Sequence, residues 1–194
     1  MIDDFAQLIL DTVNRSGLLL VHDRILPSVT TLVVGEAVEG SWWSHPKANL
    51  IFNAVEEIDA EVATVKLVRK KNTLVARSLW QDLCNLGYAR EPWQLDGLDP
   101  AAWKMLDVVE AATQPVVFDK AGKKAAAQLD NRLLAYAAGI HTDAGHHVRA
   151  YQSWAAWAVE RDLECLTGNA AGARARFEAI TAHWQHADSR LFPW

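Results

Sequence analysis

The stretch Val62-Ala63-Thr64-Val65-Lys66-Leu67-Val68-Arg69-Lys70-Lys71-Asn72-Thr73-Leu74-Val75-Ala76-Arg77-Ser78-Leu79-Trp80 decides how the chain is read. Val62 to Val68 alternates and is rich in β-branched residues, which suits a half-buried strand. Arg69 to Asn72 is polar and short, the composition of a turn, and Thr73 to Ala76 returns as a second strand. Ser78 then stands where a helix N-cap is wanted, before Leu79, Trp80, Leu83 and Leu86, with Gly87 as the expected stop. The sequence therefore predicts a β-hairpin that runs directly into a helix.

Upstream of the hairpin the pattern is helical. Asp3 or Asp4 can cap a first helix with Phe5, Leu8, Ile9, Thr12 and Val13 on one face, ended by Gly17. Leu18 to Leu26 reads either as a short strand or as a buried helical turn. Ser28 is a candidate cap for a short helix through Val34. Ser44 can cap another, with Pro46 in its first turn and a stripe at Ile51, Val55 and Ile58. The order is helix, helix, hairpin, helix. Tyr88 to Leu98, with Pro92 and Gly97, reads as a linker.

Beyond the linker the same order returns. Asp99-Pro100 opens a helix with Trp103, Leu106 and Val109 inward, and Val116 to Phe118 is a short strand. Asp119 is the expected cap of a helix carrying Ala126, Leu129, Leu133 and Ala137, stopped by Gly139. Ile140–Thr142 and His147–Tyr151 form a second hairpin around Asp143-Ala144-Gly145. Ser153 caps a helix with Trp154 and Trp157, and a last helix covers about Ala171 to Trp184. Leu74 to Trp80 lies 74 residues before Val148 to Trp154, each a strand running into a capped, tryptophan-bearing helix. Duplication and chance likeness of two small units both account for that echo. The expected fold is α+β and mostly helical: two tandem winged helix-turn-helix units plus a C-terminal helix. The expected domains are 1–90 and 91–194.

Composition bounds the rest. The chain has 194 residues, 51% of them hydrophobic, enough for one domain or two small ones. Nineteen basic against 24 acidic residues give a net charge of −5, so the chain as a whole is not a polycation made to coat nucleic acid. The acidic start Met1-Ile2-Asp3-Asp4 lacks the basic character of a secretory signal, and no apolar run reaches the ~20 residues of a membrane span. Two cysteines, Cys84 and Cys165, read as buried free thiols. The expectation is a cytoplasmic protein without a membrane partner.

A winged unit can place the helix before its hairpin in a major groove while the wing touches the backbone, and that use needs positive charge. Lys66, Arg69, Lys70, Lys71 and Arg77 fall within one short run that contains no acid. The helix before that run is less suitable, because Glu56, Glu57, Asp59 and Glu61 crowd its end. In the second unit Lys120, Lys123 and Lys124 open the candidate recognition helix, Arg132 follows, and His146, His147 and Arg149 lie on the wing. Charges on a hairpin tip can also be simply solvated. The leading expectation is double-stranded DNA binding without evident catalysis. The alternative is a protein–protein interaction module.

Gly40-Ser41-Trp42-Trp43-Ser44-His45-Pro46 resembles a string found in a group of uncharacterised bacterial tandem winged-helix proteins. There a Gly-Ser-Trp-Trp-x-His-Pro string precedes a helix and then a hairpin. Arg90-Glu91-Pro92-Trp93-Gln94 and His141-Thr142-Asp143-Ala144-Gly145-His146-His147 are similar to two further strings of that group. The resemblance covers residues 28 to 157 and implies a fold but no activity. More distantly, tandem wings resemble the winged-helix DNA glycosylases, which carry a Gln-x-Gln or Gln-x-Asp catalytic pair. Gln94-Leu95-Asp96 fits the second spelling, so this resemblance implies a base-removing repair enzyme as a second alternative. Those enzymes are larger and have additional domains.

Other chemistry is thinner. Trp42 and Trp43 either pin the helix start into the core or form an exposed stacking platform, and as neighbours they point different ways. His141, His146 and His147, or His183 and His186, could contribute to a metal site, but a third ligand is not evident beside the second pair. His141 and Asp143 suggest an acid–base pair with no nucleophile placed beside it. No glycine-rich phosphate loop occurs, and no cofactor or metal is expected.

Overall fold

The computed structural model describes residues 3–141, 147–164, 169–184 and 191–194. The chain divides into two compact units. One comprises Met1–Trp80 with Ala175–Pro193, the other Gln81–Arg174 with Trp194. The segment 175–193 thus groups with the N-terminal unit, whereas the sequence reading places it with 91–194.

In the N-terminal unit, α1 (Asp4–Ser16) is capped by Asp3, whose carboxylate accepts from the Phe5 amide, and ends at Gly17 with φ +80°. Its inward residues are Ala6, Ile9 and Val13, while Leu8 turns outward. The ambiguous Leu18 segment becomes β1 (Leu18–Leu20), and α2 (Val29–Val34) is capped by Ser28. Ser44 does not cap the next helix. It ends a 3-10 turn (Trp42–Ser44), and α3 (Ala48–Glu57) starts four residues later. Then come β2 (Val62–Lys66) and β3 (Asn72–Ala76). The three strands form an antiparallel sheet ordered β1-β3-β2, with Leu19 opposite Leu74 and Thr64 opposite Leu74 from the other side. Ile9, Val13, Val29, Val33, Ile51 and Ile58 pack on it as the core.

The chain then enters α4 (Trp80–Tyr88) through a 3-10 turn at Arg77–Leu79, with no side-chain cap from Ser78. Gly87 does not stop α4 but lies inside it. A Cβ there would sit 2.1 Å from Cε2 of Trp154, so the glycine serves close packing rather than termination. The expected linker contains a short helix, α5 (Pro92–Leu95), closed by a reciprocal capping box between Glu91 and Gln94.

The second unit continues with α6 (Pro100–Ala111), β4 (Val116–Val117), α7 (Lys123–Asn131), β5 (Tyr136–His141) and β6 (His147–Gln152). Its sheet is antiparallel and ordered β4-β6-β5, the same connectivity as the first. Ala102, Leu106, Val109, Ala126, Leu129 and Tyr151 form its core. Three expectations fail here. Trp103 is 41% exposed. Asp119 is not the N-cap of α7; it accepts the Gly122 amide in the preceding turn. The helix stops at Asn131, Leu133 takes φ +52°, and Ala137 and Gly139 belong to β5, where Gly139 pairs with Arg149. Helical spacing from Ala126 to Ala137 is therefore coincidental, because strand pairing claims its last residues. After β6, Ser153 caps α8 (Trp154–Val159) as expected, and α9 (Ala170–Thr181) follows.

The architecture is α+β, mostly helical, with two small three-stranded sheets. Among the described residues no helix is long and apolar enough to cross a membrane. Cys84, fully buried, is disulfide-bonded rather than free; Cys165 lies outside the described residues.

Candidate nucleic-acid interface

The first hairpin holds its charge unevenly. Lys66 is half-buried at the end of β2, opposite Asn72. Arg69 and Lys70 both adopt the left-handed conformation, with φ +51° and +55°, and the Arg69 amide donates to the Leu191 carbonyl at 2.6 Å. Arg69 is half-buried, and Lys70 is exposed at the tip. Lys71 Nζ lies 2.7 Å from Oδ2 of Asp23, whose side chain is only 3% exposed. Asp23 Oδ1 also accepts the amides of Ile25 and Leu26. Burial pushes the Asp23 carboxyl upward. The bonds from Leu26, Lys71 and Ile25 outweigh it and hold the group below the ordinary aspartate value. Arg77 reaches over the Trp80 ring and stands 3.7 Å from Glu61. Lys71 is thus committed to a buried partner that the sequence did not point out. An Asp followed by two amides that it can cap is the one local trace of it.

The helix before this hairpin is α3. Its solvent side carries Asn49, Asn53, Glu56 and Glu57, with no basic side chain among them. Trp42 packs against the core, while Trp43 is 59% exposed and stacks on Trp42 at 4.0 Å between ring centroids. Core and platform are thus divided between the two neighbours.

The second unit separates its charges differently. Lys120, Lys123 and Lys124 are all exposed, the last two in the first turn of α7. The helix is fixed from its other side, where Ala125, Ala126 and Leu129 are buried and Gln128 exchanges hydrogen bonds with Asp99. Arg132 and Arg149, two of the expected contacts, turn inward. Arg132 Nη1 donates to the carbonyls of Gln94 (3.1 Å) and Asp96 (2.7 Å), clamping the end of α5. Arg149 Nη2 bridges the buried Asp130 at 3.2 Å and the Ala137 carbonyl at 2.9 Å. Burial raises the neighbouring Tyr151 hydroxyl, Asp130 adds to the shift, and Arg149 partly offsets it. The turn of the second hairpin, including Asp143 and His146, and the side chains of His141 and His147 lie outside the described residues.

Arg90 is an inward cation that pattern reading missed. It donates to the Leu134 carbonyl at 3.0 Å and is ion-paired with Glu110, and its burial lowers the guanidinium's affinity for its proton. Gln94 is fully buried. Its amide nitrogen faces the carbonyls of Gly87, Arg132 and Leu133, and its oxygen accepts the Glu91 amide. That is a structural task, tying α5 to the chain after α7. Among the described residues no three His, Cys, Asp or Glu side chains group as a metal site. His186 lies outside them.

Comparison with known proteins finds no matching family model, no matching curated protein and no matching solved structure.

Proposed function

We propose that the chain is a nucleic-acid-binding protein of two winged helix-turn-helix units, with double-stranded DNA as its first ligand. The observation that carries this reading is the helix leading into the second hairpin, which exposes Lys120, Lys123 and Lys124 together. Support also comes from topology: in each unit a helix and a strand precede a helix-led hairpin, with the first strand beside the last, although two helices (α2 and α3) separate β1 from its hairpin and one (α7) separates β4 from its own. In a winged helix this puts the helix before the hairpin opposite a groove. The lysines stand at the N-terminal end of α7, where unpaired amides and the helix dipole already favour an anion. Lysines cost helix stability at that end, and a phosphate recovers it.

In the first unit Lys70 at the wing tip and Arg77 at the base of the same hairpin remain solvent-facing and add backbone contacts. α3 is not read as a groove helix, since its carboxylates repel phosphate. Glycosylase chemistry at Gln94 and Asp96 is disfavoured, because carbonyls surround the Gln94 amide and leave none of it for a base.

The test is a fluorescence anisotropy titration of a labelled DNA duplex across a salt series. Binding should weaken linearly in log salt, with a slope near −0.9 per phosphate contacted. Replacing Lys120, Lys123 and Lys124 together by glutamate should lower affinity by a factor on the order of 100 or more and flatten the slope by about one per lysine. Equal binding by the triple variant would overturn the assignment of α7. No binding at low salt would overturn the function.

A further inference from the structure

The tip of the first hairpin walls a cavity that DNA contacts leave unused. Arg69 and Lys70 line one side of it and Leu191, Phe192 and Pro193 the other, around a volume of about 280 Å³. These walls are fixed. Two successive non-glycine residues in the left-handed conformation are uncommon and persist only where their surroundings hold them. Here the Arg69 amide donates to the Leu191 carbonyl at 2.6 Å, the Lys71 amide to the Val68 carbonyl at 2.9 Å, and the Thr73 hydroxyl to the Lys71 carbonyl at 3.0 Å. Lys71 is itself anchored on Asp23. Phe192 packs against the buried Phe177 of α9, with ring centroids 6.5 Å apart, and stays half-buried. Lys70 is exposed, and among the described residues no hydrogen bond or ion pair holds its side chain.

We propose that this cavity binds a small aromatic carboxylic acid, its ring against Phe192 and Pro193 and its carboxylate on the Lys70 ammonium. Charge, shape and size each select that ligand. The lining holds basic side chains and no acid, so it is complementary to an anion. The charge falls to Lys70, because the half-buried Arg69 has contacts of its own. One free ammonium suits a carboxylate, whereas a phosphate dianion asks for several donors. Leu191, Phe192 and Pro193 make the opposite wall apolar, so the anion needs a flat apolar body to bury there. The volume sits just under the ~300–1,000 Å³ usual for small-molecule sites, which fits a compact acid and excludes a peptide segment. The proposal does not rest on the DNA reading, since a backbone contact by Lys70 needs no cavity, and the two can fail separately.

The experiment is isothermal titration calorimetry of the full chain with 2-naphthoate, beside 2-naphthamide, acetate and thymidine 5′-monophosphate. Naphthoate should saturate one site with a dissociation constant below about 1 mM. Naphthamide, which keeps the rings and loses the charge, should bind about tenfold more weakly. Acetate should not bind, and the nucleotide should bind more weakly than naphthoate. Lys70→Gln should weaken naphthoate about tenfold and leave naphthamide unchanged, a split that a loss of fold would not produce. Phe192→Leu should weaken both ligands alike. An unchanged circular-dichroism melt certifies each variant; if Phe192→Leu fails it, the exposed Lys70 position decides alone. The inference is overturned if naphthoate does not saturate, or if Lys70→Gln binds it like the parent. It is equally overturned if naphthamide or acetate matches naphthoate, or if the nucleotide binds more tightly, since the carboxylate is then not what the site selects.

Discussion

The two units share a strand order and differ in what they show to solvent. In the first, the helix before the hairpin offers asparagines and glutamates, and the turn ahead of it an exposed indole. In the second, the equivalent helix offers lysines. The hairpins differ as well: Lys71 of the first is tied to buried Asp23, and Arg149 of the second to buried Asp130. A common connectivity has thus been given two surfaces. Connectivity decides which helix is presented, and a handful of outward side chains decide to what.

The sharpest way to break the comparison is to remove the tryptophan that follows the central strand in each unit. Trp154 is buried, donates to the Leu133 carbonyl at 2.7 Å and packs edge-on against Trp157 and Tyr136. Trp80 is buried too and donates to the Val75 carbonyl at 3.2 Å. Each change to alanine should cost about 3–5 kcal/mol in denaturant unfolding, with Trp154→Ala the larger. If Trp80→Ala moves the midpoint by less than the error of the measurement, the two positions are not equivalent.

Next in size is Gly87→Ala. Helix propensity alone favours alanine, but the new methyl must displace the Trp154 ring, so about 1–3 kcal/mol of destabilisation is expected. A stabilised variant would mean that the ring yields freely.

Lys71→Met should cost about 1–2 kcal/mol, because it strips a charged hydrogen bond from a buried carboxylate through a half-exposed lysine. Asp23 has a depressed folded value, so its contribution is complete above about pH 4 and is lost as pH falls through the lower folded value. In Asp23→Asn the acid limb of a stability–pH curve should lose that component. An unchanged limb would show that Asp23 titrates alike folded and unfolded.

The smallest effect belongs to Lys70→Gln. It should leave stability within about 0.5 kcal/mol and reduce the DNA salt slope by about one. No change in slope would remove the first wing from the interface.

Local features were legible because their causes are local. Asp3, Ser28, Asp99-Pro100 and Ser153 open the helices that they were expected to open, and the hairpin expected from Val62–Val68 and Thr73–Ala76 becomes β2, which ends at Lys66 rather than Val68, and β3. Lys120, Lys123 and Lys124 could be placed at the opening of a helix because the lysines sit beside an apolar stripe. Arg132 and Arg149 could not be told apart from them by charge, since what turns them inward lies elsewhere in the chain: carbonyls at Gln94 and Asp96, and a carboxylate at Asp130.

By itself, then, the order of residues determined most runs of helix and strand, the caps at Asp3, Ser28 and Ser153 and the repeated hairpin, each set within a turn or two of backbone. Only the tertiary structure decided that Leu18–Leu20 completes a sheet, that Gly87 stays helical beneath an indole, that Leu133 leaves its helix, and which cations face water. Those choices depend on hydrogen-bond and packing partners tens of residues away, whose proximity is created by burial of the two cores rather than by any neighbouring pair.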